Sequence, residues 1–458
     1  MAGRTRRSAS ATTARTPAVT RVQVLRHRLR VHGLDRSPGT VGPADVGVLD
    51  LGVQDTGPDG AAWALLVRGC RAPTQDRAES DLVLVWTLRG APHLYRRTDL
   101  AAALEAVLPF SQADAAKRIL TAATPLRDAG TTPGEALRTV AHAMRRIVTE
   151  PMPKGEVSTR LTRELPAPYL RWCDGCGATH AYEMLFRLGA LPAGLELVPG
   201  TSPPVLRPIP AWPDSAADAL ATLPPTAEEP TSTPRLDVVR GYLHLLGPAR
   251  PADVAAHLEA PLSDVTRRWR AHEAADALVA VEVDGRECTV LAEDLPDLLA
   301  APDGRVRAAD RVVRLLGPSD PYLQDKDRSL LIQDPAHRKA LWRPLGRPGA
   351  VLADGSVVDL NAETRLTVRF ARRERSGAAG ERVEDHACPE RKDRRDQLAK
   401  ERLGFDARMW CDRSLSRWRH ATLDHVEAII ALGDEYLPDF GHTLVCCQIA
   451  LHYTSPLR

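Results

Sequence analysis

Aromatic residues are scarce: eight Trp, seven Tyr and five Phe amount to 4% of 458 residues. So few rings leave little for a base-stacking platform, and Trp63, Trp86 and Trp269 are expected in cores or against helices. No uninterrupted apolar run approaches the roughly 18 residues that a membrane helix needs. The arginine-bearing start lacks the apolar segment of a secretory signal. These absences point to a soluble cytoplasmic protein without a membrane partner. P-loop, dinucleotide fingerprint and paired metal carboxylates are missing too, so nucleotide-driven and metal-dependent chemistry are disfavoured and no cofactor is expected.

Charge of one sign is likewise in short supply, since 61 Lys and Arg stand against 59 Asp and Glu. The balance is uneven along the chain. Eight arginines, from Arg4 to Arg30, precede the first acidic residue, Asp35, and residues 1–20 read either as a disordered basic arm able to neutralise phosphates or as a solvated tail. The eight cysteines are scattered and read as free thiols. Only Cys173-x2-Cys176-x3-His180 has a suggestive spacing. A structural zinc site wants four ligands and no fourth stands nearby, so a Gly-rich turn before a helix at 182–187 is expected, with no metal.

A length of 458 residues exceeds one compact core and suggests about three domains. The patterning predicts an α+β, mostly helical protein of tandem winged-helix units. After the arm comes a first unit over 21–198 with inserted helices, then a Pro-rich linker at 199–234. A central winged helix follows at 235–300, a wing-bearing unit at 301–370 and a divergent or disordered tail at 371–458. Within the first unit, helices are expected at 22–30, 61–68, 98–108, 113–123 and 133–149, with Thr98 and Thr132 as N-caps. A strand pair is expected over 81–95, turning at Arg89-Gly90-Ala91-Pro92.

Two short helices combine a polar, basic face with an apolar back, as a DNA recognition helix does. The first carries Lys154, Ser158, Thr159, Arg160 and Arg163; the second carries Thr266, Arg267 and Arg270 and is followed by a hairpin turning at Asp284-Gly285. An ordinary exposed amphipathic helix fits the first pattern as well. Arg89 and His93 in the strand pair offer groups for a minor groove or phosphates, or else brace the fold. Hairpins and helices are also expected over 310–360, and a helix at 421–433.

Several segments in consistent order carry a resemblance to a known family. They are Leu51-Gly-Val-Gln-Asp-Thr-Gly-Pro-Asp-Gly-Ala-Ala62, Leu82 to Leu94, Pro151 to Leu165, Trp172-Cys-Asp-Gly-Cys-Gly-Ala-Thr-His180 with Leu185-Phe-Arg187, residues 236–291, and Arg314 to Leu323 with Gly349 to Val358. Together they resemble the winged-helix family that contains the AlkZ-like DNA glycosylases. That resemblance implies three winged-helix units around a concave basic surface for double-stranded DNA, and excision of alkylated purines. The family's catalytic signature is Gln, an aliphatic residue, then Gln or Asp. It falls on Gln54-Asp55-Thr56, which departs at its second and third positions. Gln54 is then the group that orients water, and Asp55 its electrostatic partner if turned inward; otherwise Gln54 caps the element and Asp55 belongs to a turn with Gly57-Pro58. A monomeric, metal-independent glycosylase is the first expectation. A non-catalytic winged-helix DNA-binding protein is the second, and a small-molecule binder the third. Asp359-Leu-Asn stands where family members carry a Gly-x-Trp strand, which implies an ending that is divergent or arises from an altered reading frame.

Overall fold

The computed structural model describes residues 16–37, 39–57, 60–71, 81–225, 236–302, 312–343, 349–353, 355–358, 365–372, 426–429 and 445–452. Helices and small antiparallel sheets alternate along these segments, giving a mixed α+β protein. The largest sheet has six strands in the order Val53–Gln54, Pro92–Arg96, Leu82–Trp86, Leu195–Leu197, Val205–Pro208, Met152–Pro153. The apolar run Leu82–Trp86 is buried throughout, as a strand covered on both faces must be. Helix Pro133–Ile147 lies against this sheet. It begins where Thr132 Oγ1 accepts from Glu135 N–H at 3.3 Å and Pro133 gives up no needed donor. Its stripe of Ala136, Leu137, Val140, Ala141 and Met144 shares a core with Leu84, Trp86, Leu195 and Leu206.

The central segment forms helices Val238–Leu246, Pro251–Leu258 and Leu262–Ala274, then the hairpin Leu278–Val283 with Arg286–Leu291. Asp284 and Gly285 both take positive φ, 47° and 78°, as a two-residue type I′ turn requires. The core of these helices also takes in Val46, Val48, Leu49, Leu51 and Val53, so the segment entering Gln54 is held by the central unit while Gln54 itself pairs with the six-stranded sheet. Further along, Val313–Leu316, Ala350–Ala353 and Ser356–Val358 make a three-stranded sheet, with helices Arg328–Leu331 and Pro335–Leu341 beside it.

Several expectations need correction. Residues 199–234 are not only a linker: Val205–Pro208 is a strand of the large sheet, and Ala217 and Leu220 of the turn Asp214–Leu220 are buried in its core. Residues 1–15 lie outside the described residues, but Ala18–Val19 is no free arm, because it pairs in parallel with Glu282–Val283. The helix Arg21–Val31 packs Leu25 and Leu29 against Leu316, Tyr322 and Leu352. Its arginines serve the protein's own carbonyls: Arg21 donates to Leu330 and Leu331, Arg26 to Pro302, and Arg30 to Asp297. Arg28 is wholly buried, 2.5 Å from Asp325, and Arg68 is equally buried, 2.7 Å from Asp320. Thr98 falls inside the turn Arg97–Asp99 and does not cap helix Leu100–Val107. Where a helix was expected at 421–433, Val426–Ile429 is a strand paired with Val445–His452, which also pairs with Arg365–Arg372. The rest of the expected tail lies outside the described residues.

Candidate active site and nucleic-acid interface

Gln54 sits on a two-residue edge strand opposite His93, with Val53 opposite Leu94. The chain enters that strand through Gly52 at φ 82°, where a Cβ would lie 2.4 Å from the Tyr95 ring; only glycine permits this approach. The Gln54 amide is fixed at both ends. Its Nε2 donates to Thr56 Oγ1 at 2.8 Å, and its Oε1 accepts from the Arg89 guanidinium at 3.2 Å. A second Arg89 nitrogen donates to the His257 carbonyl at 2.7 Å, tying the sheet's hairpin to the end of helix Pro251–Leu258. Arg89 holds φ at 58°, a left-handed conformation that aims its side chain into this junction. It is therefore half-buried and directed inward, which fits the alternative of bracing the fold and not contact with a groove or a phosphate.

His93 is corrected in the same way. It is 3% exposed, and its Nδ1 lies 2.9 Å from the Ala91 carbonyl and 3.0 Å from Thr87 Oγ1. A carbonyl only accepts, so Nδ1 carries the proton and Nε2 is the ring's acceptor. Burial, reinforced by the Arg89 charge, pulls its pKa down to about 3, so the ring is neutral near pH 7. His257 is likewise buried. Desolvation first and Arg89 second hold it well below the usual histidine range. Its ring faces the Gln324 backbone, while its buried Nδ1 has no hydrogen-bond partner among the described residues.

Gln54, Arg89, His93, His257, Ser319 and Gln324 line a cavity of about 20 Å³. That volume admits about one water molecule. Asp55 does not line it. Its Oδ1 accepts the Ala61 N–H at 2.9 Å, satisfying a free donor at the start of helix Gly60–Leu66. The sequence's alternative of Asp55 as an inward electrostatic partner is thus corrected to a helix-capping role. Sequence reasoning missed His257, Ser319 and Gln324, which arrive from distant segments. The only hint was the likeness around 314–323.

The two expected recognition helices form, as Lys154–Glu164 and Leu262–Ala274. On the first, Val157 and Leu161 face the core. Lys154 donates to Glu183 at 2.7 Å and Arg160 pairs with Glu156, so both cations are already compensated. Thr159 donates to the Gly155 carbonyl at 2.9 Å, Ser158 is half-buried, and Arg163 is exposed. On the second, Arg268 is buried and paired with Asp237 at 2.8 Å, while Arg267 and Arg270 are exposed with no ion pair among the described residues. Thr266 donates to the Leu262 carbonyl at 2.8 Å within its own helix. Among the described residues, no helix is long and apolar enough to cross a membrane.

The fold and this junction define a mixed α+β protein in which a glutamine is presented at a water-sized cavity between a sheet and a helix end. A family model described as DNA glycosylase AlkZ-like matches residues 48–401. The chain belongs to the AlkZ-like DNA glycosylase family. Among solved structures it is similar to the Streptomyces sahachiroi DNA glycosylase AlkZ, with a TM-score of 0.55 and 19% identity, over 85% of this chain and 98% of that one. At that identity the likeness concerns the fold. No curated protein matches the chain.

Proposed function

We propose that this protein is a metal-independent DNA glycosylase that hydrolyses the N-glycosidic bond of alkylated purines in double-stranded DNA, with Gln54 orienting the attacking water. The observation that carries the reading is the Gln54 amide, pinned by Thr56 and Arg89 at a cavity sized for one water. An alkylated purine is cationic and leaves readily, so the protein need only position water and tolerate an oxocarbenium-like sugar. The Gln54 carbonyl oxygen and the unpartnered His257 Nδ1 supply acceptors for the protons of such a water. With a pKa of about 3, His93 is a weak base. The proton is then lost to solvent after bond cleavage has created the electrophile. Thr56 in the third position of the signature acts through Gln54, by holding its Nε2.

In this reading the helix-plus-hairpin units serve as tandem winged helices. Arg267 and Arg270, with Arg163, contact phosphates; Lys154 and Arg160 contribute less because their charges are paired internally. One observation favours a second reading, a DNA-binding protein without turnover: among the described residues no carboxylate lines the cavity, since Asp55 caps a helix. Incubation with duplex containing N7-methylguanine, followed by an abasic-site assay, separates the two. Base release that Gln54→Ala abolishes supports the enzyme. Salt-sensitive duplex binding without release supports the second reading, and absence of duplex retention at low salt overturns both.

A further inference from the structure

The hairpin Leu170–Cys173 with Ala178–Ala181 is a two-stranded sheet standing apart from the large one. Such a ribbon is marginal by itself in water and needs a face to pack on or a staple. Its packing is confined to its base, where Ala181 and Leu170 meet the core beside helix Lys154–Glu164. Its outer part, including Trp172 at 61% exposure, is in solvent. At that outer end one ligand atom from each of Cys173, Cys176 and His180 lies within 4.8 Å of the others.

Three further features orient this trio as ligands. The turn brings the sulfurs to one side: Cys176 N–H donates to the Cys173 carbonyl at 3.2 Å, and Gly177 takes a φ of 59°, open to glycine at little cost. His180 Nδ1 lies 2.8 Å from the Ala181 carbonyl and so carries the proton, which leaves Nε2 as the free donor. A metal-binding imidazole is held in this manner, through its other ring N–H. The His180 ring and the backbone N–H groups of Cys176 and Gly175 all face the Cys173 sulfur.

We propose that Cys173, Cys176 and His180 bind one zinc ion that staples the outer end of this hairpin, with water as the fourth ligand. Two thiolates, one neutral imidazole and a solvent position are the donor set of open tetrahedral zinc sites, in place of the four protein ligands of a closed structural one. Binding releases the thiol protons to solvent and changes no oxidation state. The other converging group among the described residues, His244, Glu293 and Asp294, is already committed: His244 pairs with Asp294 at 3.0 Å, and Glu293 with Arg240.

The test uses the full chain, purified under reductant, stripped with chelator and titrated with cobalt(II) and then zinc(II). One cobalt per chain is expected, with a thiolate-to-cobalt charge-transfer band and tetrahedral d–d bands that zinc bleaches. Cys176→Ser and His180→Ala should each weaken binding at least tenfold, whereas Cys288→Ser, at a buried thiol elsewhere, should leave it unchanged. Circular dichroism identifies a variant that fails to fold, and the unaltered chain decides alone in that event. The proposal is overturned if the reduced chain, with its thiols counted free, shows no cobalt band. It is also overturned if mass analysis finds Cys173 and Cys176 joined as a disulfide that persists in reductant.

Discussion

The junction around Gln54 and the outer faces of helices Lys154–Glu164 and Leu262–Ala274 handle polar groups in opposite ways. At the junction Gln54, Arg89 and His93 are each held by hydrogen bonds within the protein. Arg89 bridges Gln54 and His257, and the two imidazoles are neutral because burial has stripped them of solvent. On the outer faces Arg163, Arg267 and Arg270 are exposed, with no ion pair among the described residues. Chemistry needs the first arrangement, since a reacting water must be held in one place. Charge neutralisation needs the second, since phosphates are met along a groove rather than at a point. Under the proposed function, the contrast places reaction at the junction and affinity on the faces.

The sharpest way to break this division is Gln54→Ala. Base release should fall by about a hundredfold or more, as for loss of one positioned polar group in an active site, while the duplex dissociation constant changes less than about threefold; a comparable loss of binding would show that the division is false. The next effect is acid lability of the junction. His93 is held at about 3 and His27 at about 4, with His32 and His257 also well below their ordinary value of 6.5. Below that value the unfolded chain binds protons that the folded chain refuses. Stability is therefore present above about pH 6.5 and is lost as pH falls toward 3. One pH unit below 6.5, each such histidine costs roughly 1 kcal/mol. His244, raised by its hydrogen bond to Asp294, has the opposite sign and offsets part of the loss. Urea midpoints at pH 7.5 and 5.5 measure it, and equal midpoints would contradict the neutral junction.

Smaller still is Asp55→Ala, which should lower stability by about 1 kcal/mol through the lost helix-end hydrogen bond and leave base release per folded molecule nearly unchanged. A large fall in release would return Asp55 to the chemistry. Least is expected at the faces: Arg267→Ala and Arg270→Ala should each reduce the slope of log K against log salt by about 1, and Arg160→Ala by less, because Glu156 already neutralises it. Equal slopes for all three would erase the distinction between paired and unpaired cations.

Much of this was legible beforehand. The hairpins at 278–291 and 350–358 announce themselves through Asp-Gly turns, and the helix beginning at Pro133 through Thr132. The Gln54 position follows from likeness of the surrounding segment. What failed did so for one physical reason: periodicity reports that an element has an apolar side, not which segment covers it. Val205–Pro208 looked like linker because its Pro-rich surroundings mask a short strand. His93 and the arginines at 21–30 looked available because the elements that bury or accept from them lie far off in sequence. Asp55 was ambiguous since its partner is a backbone N–H, which sequence does not display.

The buried guanidiniums of Arg28 and Arg68 act as two latches, closing the start of the chain on Asp325 and Asp320 beside the segment that completes the cavity wall. Removing one partner of such a pair costs about 3–5 kcal/mol, because the other charge is left buried and alone, so this wall is fixed by two carboxylates that the folded chain cannot spare.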